Sequence, residues 1–258
     1  MASGSGPGHG SGSRRGRGFR LEVLTEGEWA ETVASWLAVR LKARPELRIC
    51  LPTGDTPSPV YAELVAGEWR GEVSLRSATV VLLDEWVGLP AGDPARCDAR
   101  LRDELIDQLV SPPAFVPIGV DSGPDFEAIA AEHDAVVAHG LDLAVLGLGM
   151  NGHVGFNEPG SRPDDGTRLV RLAASSREAA TARYGASSAP TTGITVGLAR
   201  LLEAGECWLL VTGSRKAAIL KRALDEPEGP DCPASYLRRH PHLVVFADEP
   251  AAALLREP

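Results

Sequence analysis

Leu141-Asp-Leu-Ala-Val-Leu146, followed at once by Gly147-Leu-Gly-Met-Asn-Gly-His153-Val-Gly-Phe-Asn-Glu158-Pro-Gly160, is the stretch on which the reading of this chain turns. The apolar run reads as a buried strand of a parallel sheet. Glycine then punctuates its carboxyl end, the edge at which open α/β sheets place their ligands. A histidine, two asparagines and a carboxylate follow between Asn151 and Glu158. The glycines keep the backbone low enough for a substrate to approach. Polar chemistry on a glycine-rich loop beyond a core strand marks a candidate site.

Apolar runs alternate with amphipathic stretches on both sides of this segment. Upstream, strands are expected over Phe19–Leu24, Leu47–Leu51, Thr79–Leu83 and Val116–Ile118. Thr25 with Glu28 forms a capping box for a helix through about Arg44. Further helices are expected from Pro57 to about Trp69, over Ala95–Leu109 and over Asp125–Ala138. Downstream, Arg168–Leu172, Cys207–Val211 and Leu243–Phe246 read as strands. Ser176–Tyr184, Ile194–Glu203, Ser214–Leu224 and Ala234–Arg239 read as helices. Repeated βα units imply an α/β fold: a doubly wound, mainly parallel sheet with helices on both faces, in a single domain.

Composition narrows the function classes. A chain of 258 residues with 43% hydrophobic content can bury one sizeable core. Its net charge of −9 argues against a nucleic-acid surface and fits a soluble cytoplasmic enzyme, while leaving room for a local cationic site. No apolar run has the length of a membrane span, so no membrane partner is expected. Residues 1–17, mostly Gly, Ser and Arg, are expected to form a disordered tail preceding a domain over 18–258. Arg14, Arg15 and Arg17 could serve as a nucleic-acid-binding arm, but with no aromatics within residues 1–17 a solvated tail is the preferred reading. Cys50, Cys97, Cys207 and Cys232 follow no CxxC or Cys/His spacing and read as reduced thiols, with no zinc site and no disulfide.

Three strand ends carry candidate chemistry. Leu51-Pro-Thr-Gly-Asp-Thr-Pro57 opens a helix, where free N–H groups and the positive dipole end suit a phosphate; an ordinary helix start with Pro57 in its first turn fits the same residues. Asp84-Glu85 leaves a core strand with its two carboxylates on opposite faces, so one faces a cleft as a general base; a turn-capping pair fits equally. His153 stands between Asn151 and Glu158, and a carboxylate on one ring nitrogen would fix its tautomer. One His and one Glu make a poor metal ligand set. Lys216, at the end of Cys207–Val211 and the opening of a helix, is a candidate phosphate clamp or a solvated helix-start lysine. Arg168, Arg171, Arg177 and Arg183 could converge on the same anion, with a solvent-facing position for most of them as the alternative. His133, His139, His240 and His242 read as structural.

Leu51-Pro-Thr-Gly-Asp-Thr-Pro57, Leu83-Asp-Glu-Trp-Val-Gly-Leu-Pro90 and, above all, Gly149-Met-Asn-Gly-His-Val-Gly-Phe-Asn-Glu-Pro-Gly160 resemble segments of the glucosamine-6-phosphate deaminase family. The likeness extends through Ile194–Leu198, Thr212–Lys216 and His240–Glu249. Related 6-phosphogluconolactonases share the Gly-His core but usually lack Phe-Asn-Glu-Pro after it. The resemblance implies that Asp84 shuttles a proton between C1 and C2 of an opened amino sugar phosphate. It implies that His153, supported by Glu158 and Asn151, helps to open the ring. Gly54 and Thr56, with Arg183 and Lys216, match the phosphate-binding groups. Neither a metal nor another cofactor is implied, and both monomers and homo-oligomers occur.

Three departures bear on these expectations. Asn151 stands where many members have Asp, and an Asn there also resembles the galactosamine-6-phosphate branch. Asp55 puts a negative charge inside the phosphate loop and is therefore expected to point away from it. Val170 falls where regulated members resemble a lysine-bearing effector site, so activation by N-acetylglucosamine 6-phosphate is not expected. Lactone hydrolysis with His153 as base, and a non-catalytic sugar-phosphate sensor, are the competing functions.

Overall fold

The computed structural model describes residues 12–16, 18–184 and 190–255; for residues 12–16, 179, 183 and 184 it describes the backbone alone. In chain order the elements are β1 (Gly12–Gly16), β2 (Phe19–Leu24), α1 (Glu26–Ala43), β3 (Arg48–Leu51), α2 (Ser58–Trp69), β4 (Thr79–Leu82) and β5 (Asp84–Val87). There follow α3 (Cys97–Glu104), β6 (Ala114–Val116), α4 (Phe126–Val137), β7 (Leu143–Gly147), β8 (Arg168–Arg171) and α5 (Ala174–Tyr184). The chain continues through β9 (Thr192–Thr195), α6 (Leu198–Leu202), β10 (Glu206–Val211), α7 (Ala217–Asp225), β11 (Leu243–Asp248) and α8 (Glu249–Ala252).

The main sheet has the order β1-β2-β11-β10-β7-β3-β4-β6, with every pair parallel except β1–β2. From β3 the chain winds out through β4 and β6; from β7 it winds the other way through β10 and β11. The order therefore reverses between β3 and β7. Loops leaving those two strands diverge and open a crevice at their carboxyl ends.

Both sheet faces are apolar, which is why the strands read as continuous hydrophobic runs rather than alternating ones. Trp208, Leu210, Val244 and Phe246 pack with α1 and α2 on one face. Cys207, Leu209, Val211, Val245 and Ala247 pack with α6 and α7 on the other. Each fully buried large side chain contributes about 1.5–3 kcal/mol of transfer free energy. The doubly wound, mainly parallel architecture is thus the one observed.

Several local expectations are corrected. Residues 12–16, expected within the tail, pair antiparallel with β2 as an edge strand, Gly12 opposite Val23 and Gly16 opposite Phe19. Such pairing uses main-chain groups alone and needs no core from the segment itself. Ile194–Glu203 is not one helix: β9 ends at Thr195 and α6 begins at Leu198. β9 joins β5 and β8 in a second, antiparallel sheet of order β5-β9-β8. Gly193 is required there, because a Cβ would fall 2.6 Å from the Phe156 ring. The helix expected over Ala95–Leu109 is confined to α3, with a 3-10 turn at 106–108. Thr25 and Glu28 do meet, the hydroxyl 2.8 Å from the carboxylate, but the threonine side chain caps no backbone N–H.

Candidate active site

The loop after β3, the step from β4 into β5, the loop after β7 and the turn after β10 meet at this crevice. With parts of α3 and α5 they line a cleft of about 570 Å³. Its walls include Thr53, Gly54, Thr56, Asp84, His153 and Lys216, so the residues singled out at separate strand ends share one cavity.

Asp84 and Glu85 are turned apart by the strand pleat. Glu85 is fully buried, and its carboxylate accepts the N–H groups of Trp86 (2.8 Å), Cys97 (2.9 Å) and Asp98 (2.8 Å). It thereby satisfies first-turn donors of α3 that no helical carbonyl can reach. Asp84 is left to line the cleft. Burial pushes its carboxyl up to about 7, against a smaller opposing effect of a hydrogen bond from the Cys97 thiol. A carboxyl group poised near neutrality can both take and return a proton.

His153 Nδ1 lies 3.3 Å from Glu158 Oε2 and 3.3 Å from Ser176 Oγ. Burial alone would raise the Glu158 carboxyl, but hydrogen bonds with His153, Ser176 and Asn151 and the nearby imidazole outweigh it and hold the group down at about 2. The carboxylate is therefore an acceptor at neutral pH, which assigns the proton to Nδ1 and leaves Nε2 as the basic nitrogen. Asn151 Nδ2 donates to Glu158 Oε2 at 2.8 Å, and its Oδ1 accepts the His153 N–H at 3.2 Å. An ionised Asp at this position could make only the second of these bonds. Gly149 leaves room for the ring: a Cβ there would fall 2.3 Å from Nε2.

The loop after β3 is fixed from below, where Tyr61 Oη donates to the Pro52 carbonyl at 2.6 Å. Gly54 takes φ +137°, and the loop runs into α2, whose first-turn N–H groups are suited to an anion. Lys216 faces this loop's cleft with Nζ 2.6 Å from the Leu148 carbonyl. Burial, and next Arg215, lower its pKa. Asp55 stands at the lip with its side chain 83% exposed, 3.6 Å from the Arg100 guanidinium.

Arg168 does not reach the cleft. Its guanidinium donates to Asn157 Oδ1 (3.0 Å) and Ser161 Oγ (2.8 Å) and pairs with Asp165, bracing the end of the His153 loop. Arg171 is exposed, Arg177 is not among the cleft's walls, and the Arg183 side chain lies outside the described residues. Sequence reasoning missed Ser176, Cys97 and Arg100, which helices bring in from the side. His133 and His240 are structural, each ring bonded to a main-chain carbonyl, Leu82 at 3.1 Å and Ala204 at 2.8 Å. A larger cleft of about 680 Å³ opens at the amino-terminal ends of β2, β10 and β11, but Arg40 and Arg20 there are committed to Glu206 and Glu22.

The pattern described as glucosamine-6-phosphate isomerases/6-phosphogluconolactonase matches residues 24–245. The chain belongs to that family. A glucosamine-6-phosphate deaminase of Rhodopirellula baltica is 37% identical over 247 residues, covering 92% of this chain and 96% of its own. One of Listeria monocytogenes is 37% identical over 80% of this chain and 86% of its own. Among solved structures, a monomeric glucosamine-6-phosphate deaminase superposes with a TM-score of 0.86 at 29% identity, covering 91% and 99% of the two chains. The 6-phosphogluconolactonase of Trypanosoma brucei, with a TM-score of 0.73 at 18% identity over 92% and 98%, shares the fold. The matched region spans all four loops that line the cleft. Among the described residues no helix is long and apolar enough to cross a membrane, and no group of three His, Cys, Asp or Glu side chains is placed to hold a metal ion.

Proposed function

We propose that this family member is a glucosamine-6-phosphate deaminase, releasing ammonia and fructose 6-phosphate by an isomerising hydrolysis of a carbon–nitrogen bond. The observation that carries the reading is Asp84, a buried carboxyl poised near pH 7 in the same cleft as the His153–Glu158 pair. In this account the sugar phosphate is anchored by the Gly54–Thr56 backbone, Thr56 and Lys216, with Arg183 as the further phosphate group that the family resemblance implies. Anchoring there supplies binding energy remote from the reacting carbons.

His153 Nε2, backed by Glu158 and Asn151, moves the proton that opens the pyranose to the aldehyde. Asp84 then takes the proton from C2 and returns it to C1 while a proton passes from the C2 ammonium to O1, leaving a C1 alcohol and an iminium at C2. Water adds to that carbon and ammonia leaves. Each step uses proton transfers that carboxylate and imidazole can perform. Four free buried thiols are in keeping with a cytoplasmic setting.

The test is ammonia release from glucosamine 6-phosphate by wild type and His153→Ala, with galactosamine 6-phosphate and 6-phosphogluconolactone run in parallel. Ammonia from the gluco substrate, lost in the variant, supports the proposal. Turnover of the galacto substrate or the lactone instead would replace it, and tight sugar-phosphate binding without turnover would make the protein a sensor.

A further inference from the structure

Lys216 does more in this geometry than face an anion. Its ammonium is bonded to the carbonyl of Leu148, a buried residue at the carboxyl end of β7. A buried carbonyl without a partner is costly, so this bond helps to fix the main chain there. The next residue is Gly149, whose N–H donates to the His153 carbonyl at 2.9 Å and whose Cα the imidazole overlies. The other end of the lysine is equally constrained. Lys216 N–H donates to the Gly213 carbonyl at 2.9 Å, and Gly213 N–H donates to buried Asp248 at 2.7 Å. A continuous set of contacts therefore runs from Asp248 through Lys216 to the backbone under His153.

We propose that Lys216 is a positioning residue for His153 and couples that imidazole to occupancy of the phosphate subsite. The inference rests on the placement of the substrate phosphate against Lys216 given above. An ammonium has three N–H donors. One holds Leu148, and the others are available to an anion at the 53–57 loop. An anion bound there immobilises the ammonium, and with it the Leu148–Gly149 peptide on which the ring lies. Phosphorylated substrate is then selected in the turnover step as well as in binding, since a reacting group misplaced by about 1 Å costs on the order of a hundredfold.

Two measurements test this. In the first, protein labelled at histidine is titrated with inorganic phosphate, with the His153 ring signals assigned by their loss in His153→Gln. The signals are expected to move on saturation in wild type and in Thr56→Ala, which binds more weakly, and to stay in place in Lys216→Met. Signals that stay still in wild type, or move equally in Lys216→Met at saturation, overturn the proposal. This readout needs no catalysis, so it can fail or succeed independently of the deaminase reading.

In the second, Thr56→Ala is expected to lose mainly KM, whereas Lys216→Met loses at least about tenfold more kcat than Thr56→Ala does. Lys216→Arg, which keeps the charge, should recover KM more than kcat. Equal kcat losses in the Thr56 and Lys216 variants would refute the coupling.

Discussion

The guanidinium of Arg100 lies 3.6 Å from the carboxylate of Asp55, at the lip of the loop between β3 and α2. Arg100 is itself held by Glu104 (2.5 Å) and by Ser58 Oγ (3.2 Å). The pairing offsets a negative charge that would otherwise face an incoming phosphate. Arg100→Ala is accordingly expected to raise the KM for glucosamine 6-phosphate about fivefold to tenfold, and adding Asp55→Asn in that background to restore it. Both groups border solvent, so the effect should shrink in high salt. A KM that the second substitution does not rescue would show that Arg100 acts in another way.

Asp84 makes two linked predictions. Its carboxyl must be ionised to accept a proton, so kcat/KM should rise with pH through about 7. Asp84→Asn should lower turnover about 10²–10⁴-fold. For stability, the folded-state value lies above the unfolded value of 3.8, so the native state binds the extra proton between about 4 and 7. Stability is therefore lost as pH rises through that window. Asp84→Asn removes the loss, and should stabilise the protein by up to about 4 kcal/mol at pH 8 and by about half as much at pH 5.5. Urea midpoints at the two pH values decide it; equal gains at both would contradict the burial argument.

Glu158 has the opposite sign. Its folded-state value is depressed to about 2 from 4.5, so its contribution is present above about 4.5 and is lost as pH falls toward 2. Glu158→Gln should cost about 1–3 kcal/mol at pH 7 and lower kcat at least tenfold by releasing the Nδ1 proton from its acceptor. The acid limb near pH 7 should not move, because Glu158 is ionised throughout it. A shifted limb would instead assign that titration to the His153–Glu158 pair.

Gly149→Ala adds a Cβ 2.3 Å from His153 Nε2. The imidazole must swing away, since the three atoms nearest that Cβ all belong to its ring. A drop in kcat of about 100-fold, with little change in the unfolding midpoint, is the expected result. A fully active variant would mean that the ring does not work from this position.

The main sheet was legible because both of its faces are buried, which makes β3, β4, β7, β10 and β11 visible as apolar runs. The site was legible because each of its loops follows one of those runs directly. The second sheet was not, since β5, β8 and β9 pair across long separations and their contacts leave no local period. Ile194 and Val196, read with Leu198 and Leu201, give a helix-like spacing over a segment that in fact divides at Gly197. Ser176, Cys97 and Arg100 reach the cleft from α3 and α5, and nothing in their own neighbourhood announces which helix face meets the crevice. Arg168 is not decided by its sequence position, because an arginine beside an anion site and one bracing Asn157 look alike in sequence.

Asp84 and Glu85 are neighbouring acids, yet Glu85 closes the start of α3 and Asp84 faces the cleft. A slip of β5 by one residue against β9 would exchange them, sending the longer side chain into the cavity and leaving α3 with a shorter arm. The hydrogen bonds from the Cys97 and Asp98 N–H groups to Glu85 thus act as a ratchet tooth: they hold the strand at the setting that presents the reactive acid. Strand alignment here is part of the chemistry, and a substitution at Glu85 should be felt first as misalignment of its neighbour.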